Sequence, residues 1–164
     1  MKIFGTIDHV IGAGEVRIHR YLMNILKKPD ISFVIPNLFV GGSNKIENLA
    51  EVGIDAILDL RKEKMDDQNK ILNHSMIFSH IPIQDRESPS KEQITQALDW
   101  IKNNLDNGKK VFIHCNLGRG RGPLIIALYL ISQGMDKEES INHVKNIRKF
   151  TFFNIKQLQL IRNF

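Results

Sequence analysis

Apolar residues along this chain follow two different spacings, and the two alternate from residue 32 to the carboxyl end. Nearly continuous apolar runs, which are typical of strands buried on both faces, occupy residues 54–60 and Val111–His114. Shorter β-type runs lie at 32–35, 38–40 and 76–81. Because helical segments separate these runs, the pattern predicts a single α/β domain with a mainly parallel central sheet and helices on both faces.

The helical segments carry apolar residues three and four positions apart. The clearest helix starts at a capping box of Ser90 and Gln93 and ends before Gly108. Its apolar face consists of Ile94, Ala97, Leu98, Ile101 and Leu105. Further helices are predicted at 44–52 after a Ser43 cap, at 65–72, at 122–133, and after the caps Asp136 and Asn154.

The amino-terminal segment is amphipathic. Within residues 14–27, one helical face carries Ile18, Tyr21, Leu22 and Ile25, and basic residues lie elsewhere. We expect residues 1–30 to form a helix whose apolar face packs on the domain formed by residues 31–164. Peripheral contact with an anionic membrane is the alternative. Asp8 and His9 interrupt the first residues, which is a poor pattern for a signal peptide.

The net charge indicates which molecules the protein would bind, and the cysteine content indicates the compartment in which it would act. The 164 residues carry a formal net charge of +5, which favours anionic partners such as phosphorylated proteins or phospholipid head groups. Nucleic acid is not expected, because no basic platform interleaved with aromatic residues is present. The single cysteine, Cys115, cannot form an intrachain disulfide, which suits a reducing compartment. We therefore expect a cytoplasmic protein, and a monomer.

The candidate chemistry lies between the strand Val111–His114 and the next helix. Cys115 follows the strand, and Arg121 comes six positions later, with Gly118 and Gly120 between them. A loop that curls from a strand end to a helix start points successive N–H groups inward, which makes a nest for a tetrahedral phosphate. The same positive field favours the thiolate form of Cys115, and the planar Arg121 suits a bidentate grip on phosphate oxygens. The alternatives are a buried structural cysteine and a glycine-rich turn without function.

The motif His114-Cys115-x-x-Gly118-x-x-Arg121 resembles the signature loop of the protein tyrosine phosphatase superfamily, in its compact dual-specificity branch. The resemblance covers most of the chain. Three further segments look like the family's opening strand pair, the strand after its first helix, and its closing helix motif: 35–42, 53–60, and Phe153-Asn154 with Gln157-Leu158.

The resemblance implies roles for individual residues. It implies that Cys115 is the nucleophile, that Arg121 binds phosphate, and that Asp85 is the general acid, with Glu87 as the fallback. The phosphate would lie within the loop formed by Asn116, Leu117, Gly118, Arg119, Gly120 and Arg121. No cofactor is implied, and no metal, since the other histidines show no ligand spacing.

Several neighbouring positions leave alternatives open. His114 either shapes the loop and tunes the thiolate or packs without function. Arg119 either binds a second phosphate, as the resemblance to lipid-directed members suggests, or lies solvated. Arg61 and Lys62 either share the rim of the loop or are solvated. Gly122 stands where most active relatives carry serine or threonine, so we expect slow hydrolysis of the phosphoenzyme.

The resemblance therefore implies a phosphomonoester hydrolase of the tyrosine or dual-specificity type. It would act through a cysteinyl-phosphate on phosphotyrosine, and on phosphoserine or phosphothreonine, in a phosphorylated protein. Two alternatives remain. The substrate is a phospholipid or phosphoinositide on the same fold, or the protein is a slow or inactive phosphate-binding pseudophosphatase.

Overall fold

A computed structural model describes residues 14–19, 21–23, 25–26 and 28–164. Its centre is a five-stranded sheet with the strand order β1-β2-β5-β3-β4. The strands are β1 (Ile31–Ile35), β2 (Leu38–Gly41), β3 (Ala56–Arg61), β4 (Ile77–Ile83) and β5 (Val111–His114). β1 pairs antiparallel with β2, and the other three pairings are parallel. The predicted mainly parallel sheet is confirmed, with β5 as its middle strand.

Six helices surround this sheet between residue 31 and the carboxyl end. They are α1 (Ile46–Glu51), α2 (Gln68–Asn73), α3 (Lys91–Asp106), α4 (Arg121–Ser132), α5 (Lys137–Ile147) and α6 (Ile155–Asn163). Successive residues of a strand point to opposite faces of the sheet. Phe112 packs in the smaller apolar cluster with α1 and α2, whereas Ile113 packs in the larger cluster with α3 to α6. Helices therefore cover both faces, as predicted.

The predicted helix caps are confirmed where the side chain can reach the first turn. Ser90 and Gln93 form the expected capping box of α3. Asp136 caps α5, and Asn154 forms a second capping box, with Gln157, at the start of α6. These are local interactions within four residues, so the sequence alone specifies them.

Two helix starts differ from the prediction. α1 begins after Lys45, with no side-chain cap, and Ser43 instead donates its backbone N–H to the carbonyl oxygen of Asn116 at 3.0 Å. The predicted Ser43 cap is therefore wrong. α2 begins at Gln68 under an Asp67 cap, later than the predicted start at 65. In both places the residues before the helix make tertiary contacts, Ser43 with Asn116 of the loop and Asp66 with Asp59 and Arg61 of β3.

The amino-terminal segment turns its apolar face away from the domain. Residues 14–19 and 21–23 are helical, yet Ile18 and Tyr21 are 63% and 67% exposed. Leu22, Ile25 and Leu26 are exposed as well. The buried residue of this segment is Val16, on the opposite face, and His19 lies 3.7 Å from Asp30, so the packing of the segment on the domain stays a prediction. Residues 1–13 lie outside the described part, so the boundary at residue 30 stays a prediction.

Within the part of the chain that the structure describes, no helix is long and apolar enough to cross a bilayer.

Candidate active site

The loop of residues 115–120 leaves the sheet at its centre. β5 lies between β2 and β3 and ends at His114, and α4 begins at Arg121. The N–H groups in the first turn of a helix have no partner within that helix, so α4 presents donors and a positive dipole end to the loop. The strand, loop and helix predicted from the sequence are confirmed.

Gly118 allows the loop to curl tightly against β2. Its φ angle is +64°, in the left-handed region that glycine tolerates best. A Cβ atom at this position would also collide with the backbone of Gly41 and with the guanidinium of Arg148. Both the conformation and the available space therefore require glycine here.

A buried ion pair behind the loop orients its peptide groups. The Arg148 guanidinium donates to the carbonyl oxygens of Leu117 and Gly118, and to both carboxylate oxygens of Asp30 at 2.9 and 2.8 Å. In a trans peptide the C=O and the following N–H point in opposite directions. The N–H groups of Gly118 and Arg119 therefore point away from Arg148, toward the inside of the loop.

The charge state of this pair follows from its surroundings. Burial raises the pKa of Asp30, but the hydrogen bonds and positive charge of Arg148 outweigh burial, and the pKa lies below its usual value. Asp30 also accepts the N–H of Gly42 at 3.2 Å. Sequence analysis missed both members of the pair, because they lie 118 positions apart and follow no local motif.

Arg121 reaches across the mouth of the loop, and its guanidinium is almost fully buried. Nη1 donates to Glu63 Oε2 at 2.7 Å and to the carbonyl oxygen of Ile83 at 3.0 Å, and Nη2 donates to Glu63 Oε1 at 2.7 Å. Within the described part of the chain, Nε of Arg121 is buried without a hydrogen-bond partner. Burial lowers the pKa of Arg121, but Glu63 and the nearby Cys115 raise it by more than burial lowers it. The pKa therefore lies above its usual value, and the guanidinium stays charged. Its Nε edge is the one left for an anion.

Glu63 is a site residue that sequence analysis missed. Its side-chain hydrogen bonds to Arg121 hold the pKa of its carboxyl at about 2, against the opposing effect of burial. The sequence does contain a signal for it, since Glu63 directly follows Arg61 and Lys62 at a strand end beside the loop. The next residue along completes that strand end and is the one that reaches Arg121.

Asp85 lies where the resemblance places the general acid. It follows β4 in an exposed turn, and its Oδ1 lies 3.4 Å from Nη2 of Arg121. The fallback residue, Glu87, is held elsewhere, because both its carboxylate oxygens accept from Lys156 at 3.0 and 2.8 Å. The geometry thus favours Asp85 over Glu87, and the catalytic role of Asp85 stays a prediction.

Arg119 is buried, so the interpretation as a solvated residue is wrong. Its Nε donates to the carbonyl oxygen of Phe150 at 2.9 Å, and its guanidinium lies 5.7 Å from the ring centroid of Phe152. Burial lowers its pKa. These contacts direct the side chain toward the segment between α5 and α6, and its role toward a second phosphate stays a prediction.

The side chains of Arg61 and Lys62 lie in different environments. Arg61 is buried, and donates Nε and Nη2 to the carboxylate of Asp59 at 2.9 and 2.8 Å and Nη2 to Asp66 as well. Neither the rim nor the solvated interpretation describes it. Lys62 is exposed. Burial lowers the pKa of Arg61, and the two carboxylates raise it above its usual value.

Three acid and base groups meet under the loop in a way that could hold a metal ion. Potential ligand atoms of Asp59, Asp66 and His114 lie within 4.8 Å of one another. However, the Arg61 guanidinium already bonds both carboxylates, so a fixed positive charge stands where an ion would have to bind. This donor set does not fit a cation in the presence of Arg61.

Gly122 has little room for a side chain. A Cβ atom there would lie 3.2 Å from Val40 Cγ2 and 3.9 Å from the backbone nitrogen of Cys115. A serine would require Val40 to shift by a few tenths of an ångström. The expected slow hydrolysis of a phosphoenzyme stays a prediction.

Comparison with known proteins places this site in a family. A family model described as Tc-R-P, "Polymorphic toxin system, DSP-PTPase phosphatase", matches residues 38–135, more than half of the chain. The chain belongs to the dual-specificity branch of the protein tyrosine phosphatase superfamily. The matched range contains the signature loop, Glu63 and Asp85 of this dual-specificity phosphatase domain.

The chain is similar in sequence to known phosphatases, and the similarity covers only part of the length of those proteins. The chain is 31% identical over 107 residues to the phosphatidylglycerophosphate phosphatase PTPMT1 of Arabidopsis thaliana, covering 63% of this chain and 32% of that protein. It is 31% identical over 106 residues to the dual specificity protein phosphatase PHS1 of the same plant, covering 62% of this chain and 11% of that protein. The chain therefore spans about a third or less of these two relatives.

The fold is similar to that of a solved structure, and the match covers nearly the whole length of that solved chain. The active form of Tk-PTP superposes with a TM-score of 0.75 at 26% identity, covering 82% of this chain and 95% of that chain. The predicted dual-specificity phosphatase fold is confirmed. The structure also brings Cys115, Arg121 and Asp85 together, while their individual roles remain predictions.

Proposed function

We propose that the chain is a phosphomonoester hydrolase of the tyrosine or dual-specificity protein phosphatase type. One observation carries the proposal: Cys115 lies at the base of a loop whose N–H groups turn inward, beside an Arg121 guanidinium whose buried Nε has no partner among the described residues. A tetrahedral dianion seated in this loop would satisfy both the N–H groups and that Nε. We propose a phosphorylated protein as the substrate.

The proposed mechanism has two steps and uses no cofactor. In the first, the Cys115 thiolate forms a bond to phosphorus, the bond to the leaving oxygen breaks, and Asp85 gives its proton to that oxygen. In the second step, a water molecule gives a proton to Asp85. The water oxygen forms a bond to phosphorus, and the bond between phosphorus and the Cys115 sulfur breaks. Arg121 and the loop N–H groups stabilise the charge on the phosphate oxygens throughout.

Replacing Asp85 by asparagine tests this assignment. We expect kcat/KM for phenyl phosphate, which has a poor leaving group, to fall roughly 10²- to 10⁴-fold, the usual contribution of a general acid. The loss should shrink for an aryl phosphate with a good leaving group, which needs little protonation. The pH profile of kcat/KM should be bell-shaped with a mildly acidic optimum in the wild type, and Asp85→Asn should lose its basic limb.

Glu87→Gln is the matched control for this experiment. It removes a carboxylate two residues away whose oxygens are held by Lys156, so activity and pH profile should stay close to those of the wild type. A basic limb that persists in Asp85→Asn and disappears in Glu87→Gln would transfer the acid role to Glu87.

The rival function is a binding module that holds phosphorylated partners without turnover. Phosphate release from a small aryl phosphate distinguishes the two, since a binding module would bind the ester and release no phosphate. Arg121 lies between the other two site residues, in an ion pair with Asp85 and close enough to Cys115 to interact with it electrostatically, which supports the enzyme. Gly122 is the feature that favours slow turnover.

A second candidate substrate is a phospholipid, and the amino-terminal helical segment favours it. Its five exposed apolar side chains form one stripe: Ile18, Tyr21, Leu22, Ile25 and Leu26. The exposed Arg17 and Lys28 flank the stripe. An apolar stripe beside basic residues fits the surface of an anionic membrane. The relative PTPMT1 is named for a phospholipid substrate, which supports the same class here.

Vesicle sedimentation tests this candidate. Wild-type protein should pellet with vesicles that contain phosphatidylglycerol and less with phosphatidylcholine alone. Ile25→Glu should weaken the association about tenfold or more, because an apolar side chain that would insert into the bilayer is replaced by a charge. Hydrolysis of a soluble aryl phosphate should be unchanged.

The control is Leu72→Glu, which introduces the same charge at an apolar residue of α2 that is about as exposed as Ile25. This variant should not affect vesicle binding. A wild type that does not bind vesicles would reject the lipid surface. An oligomer that Ile25→Glu dissociates would show that a second copy covers the stripe, and would also contradict the expected monomer.

We further propose that the protein acts in the cytoplasm, as a monomer, and not on nucleic acid. The single cysteine supports a reducing compartment, where its thiol stays available.

A further inference from the structure

Asp85 lies in a turn whose backbone conformation is unfavourable by itself. The N–H of Glu87 donates to the carbonyl oxygen of Gln84 at 3.2 Å, which closes a β-turn. Arg86, the third residue of this turn, has a φ of +63°, in the left-handed region that residues other than glycine rarely adopt. The Asp85 side chain is exposed, and its Oδ1 lies 3.4 Å from Arg121 Nη2. Such a conformation persists only where contacts from the surrounding structure hold it.

The side-chain amide of Asn154 supplies one of these contacts. Its Nδ2 donates to the carbonyl oxygen of Arg86 at 2.7 Å, while its Oδ1 accepts the N–H of Gln157 at 3.0 Å and caps α6. One end of the amide is therefore bonded to the turn and the other end to the helix. Lys156 also reaches the turn, through Glu87, but both of these side chains are exposed, and exposed ion pairs contribute little.

The segment before α6 is bonded to the signature loop as well. The N–H of Phe152 donates to the carbonyl oxygen of Arg119 at 2.9 Å, and Nε of Arg119 donates to the carbonyl oxygen of Phe150 at 2.9 Å. This segment leads directly into the Asn154 cap. It therefore connects the signature loop with the turn that carries Asp85.

We propose that Asn154 is a positioning residue that holds the Asp85 turn in place relative to the signature loop. It acts through the backbone of Arg86 and does not touch the substrate. The inference deepens the proposed function and rests on it in one respect, the use of Asp85 as the general acid. A general acid must lie within hydrogen-bond reach of the leaving oxygen, so a small displacement of the turn lowers the rate of protonation. Sequence analysis identified Asn154 as a helix cap and gave it no role in the site.

Tryptic cleavage after Arg86 tests the contact without any need for turnover. The protease must bind the carbonyl group of Arg86 that Asn154 holds, so the cleavage rate reports how often the turn is released. Asn154→Ser keeps a good N-cap residue and loses the amide donor. We expect cleavage after Arg86 to become about three- to tenfold faster, the effect of losing one hydrogen bond. Cleavage after Lys156, in the first turn of α6, should not change, because the cap is retained.

Asn107→Ser is the matched control for this experiment. Nδ2 of Asn107 also donates to a main-chain carbonyl oxygen at 2.7 Å, that of Asn103, at the carboxyl end of α3. The control loses the same kind of bond and should leave the cleavage rate after Arg86 unchanged. An unchanged rate in Asn154→Ser would overturn the proposal. Equal acceleration after Arg86 and Lys156 would also overturn it, because the helix and not the turn would then have loosened.

Kinetics with two aryl phosphates test the consequence for the acid. In Asn154→Ser, kcat/KM for phenyl phosphate should fall about three- to tenfold. For an ester with a good leaving group, kcat/KM should stay near that of the wild type, because little protonation is needed. In an Asp85→Asn background, the same change should cause no further decrease. Equal decreases for both esters, or in both backgrounds, would overturn the proposal and make Asn154 a general support of the site.

Failure of the proposed function would give a different result from failure of this inference. A wild type that releases no phosphate from either ester would contradict the proposed hydrolase. The tryptic cleavage rates would then still decide whether Asn154 holds the turn, since they require no activity.

Discussion

Cys115→Ser is expected to abolish phosphate release and to leave the binding of phosphate-like anions intact. The serine hydroxyl is not ionised near neutral pH, so no nucleophile is available to form the covalent intermediate. We expect a loss of at least roughly 10³-fold, as for other enzymes that lose their nucleophile. Phosphate release from an aryl phosphate is the measurement.

The structure explains why anion binding should survive this change. The anion would be held by the loop N–H groups and by Nε of Arg121, none of which belongs to the Cys115 side chain. Serine is close in size to cysteine, so the nearly buried site should keep its shape. Tungstate binding measured by calorimetry should stay within a few-fold of the wild type. Residual activity within tenfold of the wild type would contradict the assignment of Cys115 as the nucleophile.

Arg121→Lys is expected to be nearly as damaging, although the charge is retained. The guanidinium uses one edge for both Glu63 oxygens and the Ile83 carbonyl, and keeps Nε for the anion. A lysine ammonium is a single point charge and cannot reach Glu63 and the phosphate in this planar arrangement. We expect kcat/KM to fall roughly 10²- to 10⁴-fold, because removing one preorganised donor already lowers kcat by roughly 10²- to 10³-fold.

The control for Arg121→Lys is Arg86→Lys, which makes the same exchange at an exposed position in the turn next to Asp85. Its activity should stay near that of the wild type. If Arg121→Lys kept activity within about threefold of the wild type, well below the loss seen for preorganised donors, charge alone would suffice and the planar grip would be unnecessary.

Local patterns carried the sequence-based predictions that are confirmed. The run Val111–His114, the two glycines and the apolar α4 lie within a short stretch, so their spacing alone predicts a strand, a phosphate-sized loop and a helix. The capping boxes at Ser90 and Asn154 depend on residues three positions apart. Sheet class follows in the same way, because continuous apolar runs separated by helices favour parallel strands covered on both faces.

Helix boundaries near the loop were less predictable, for a physical reason. The sequence around Ser43 fits a helix cap, but in the structure the backbone of this residue bonds to Asn116 across the sheet edge. The helix then begins only after Lys45, beyond the reach of a Ser43 cap, and the folded chain alone decides that starting point.

The sequence by itself thus determined the fold class, the signature loop and the positions of Cys115, Arg121 and Asp85. The tertiary structure alone decided which charged residues surround them: Asp30 with Arg148 behind the loop, Glu63 on Arg121, and Arg61 with Asp59 and Asp66. It also turned the apolar stripe of the amino-terminal segment outward. Hydrophobic spacing and capping act within a few residues, whereas ion pairs join residues far apart in the chain and have no period, so they become visible only once the chain is folded.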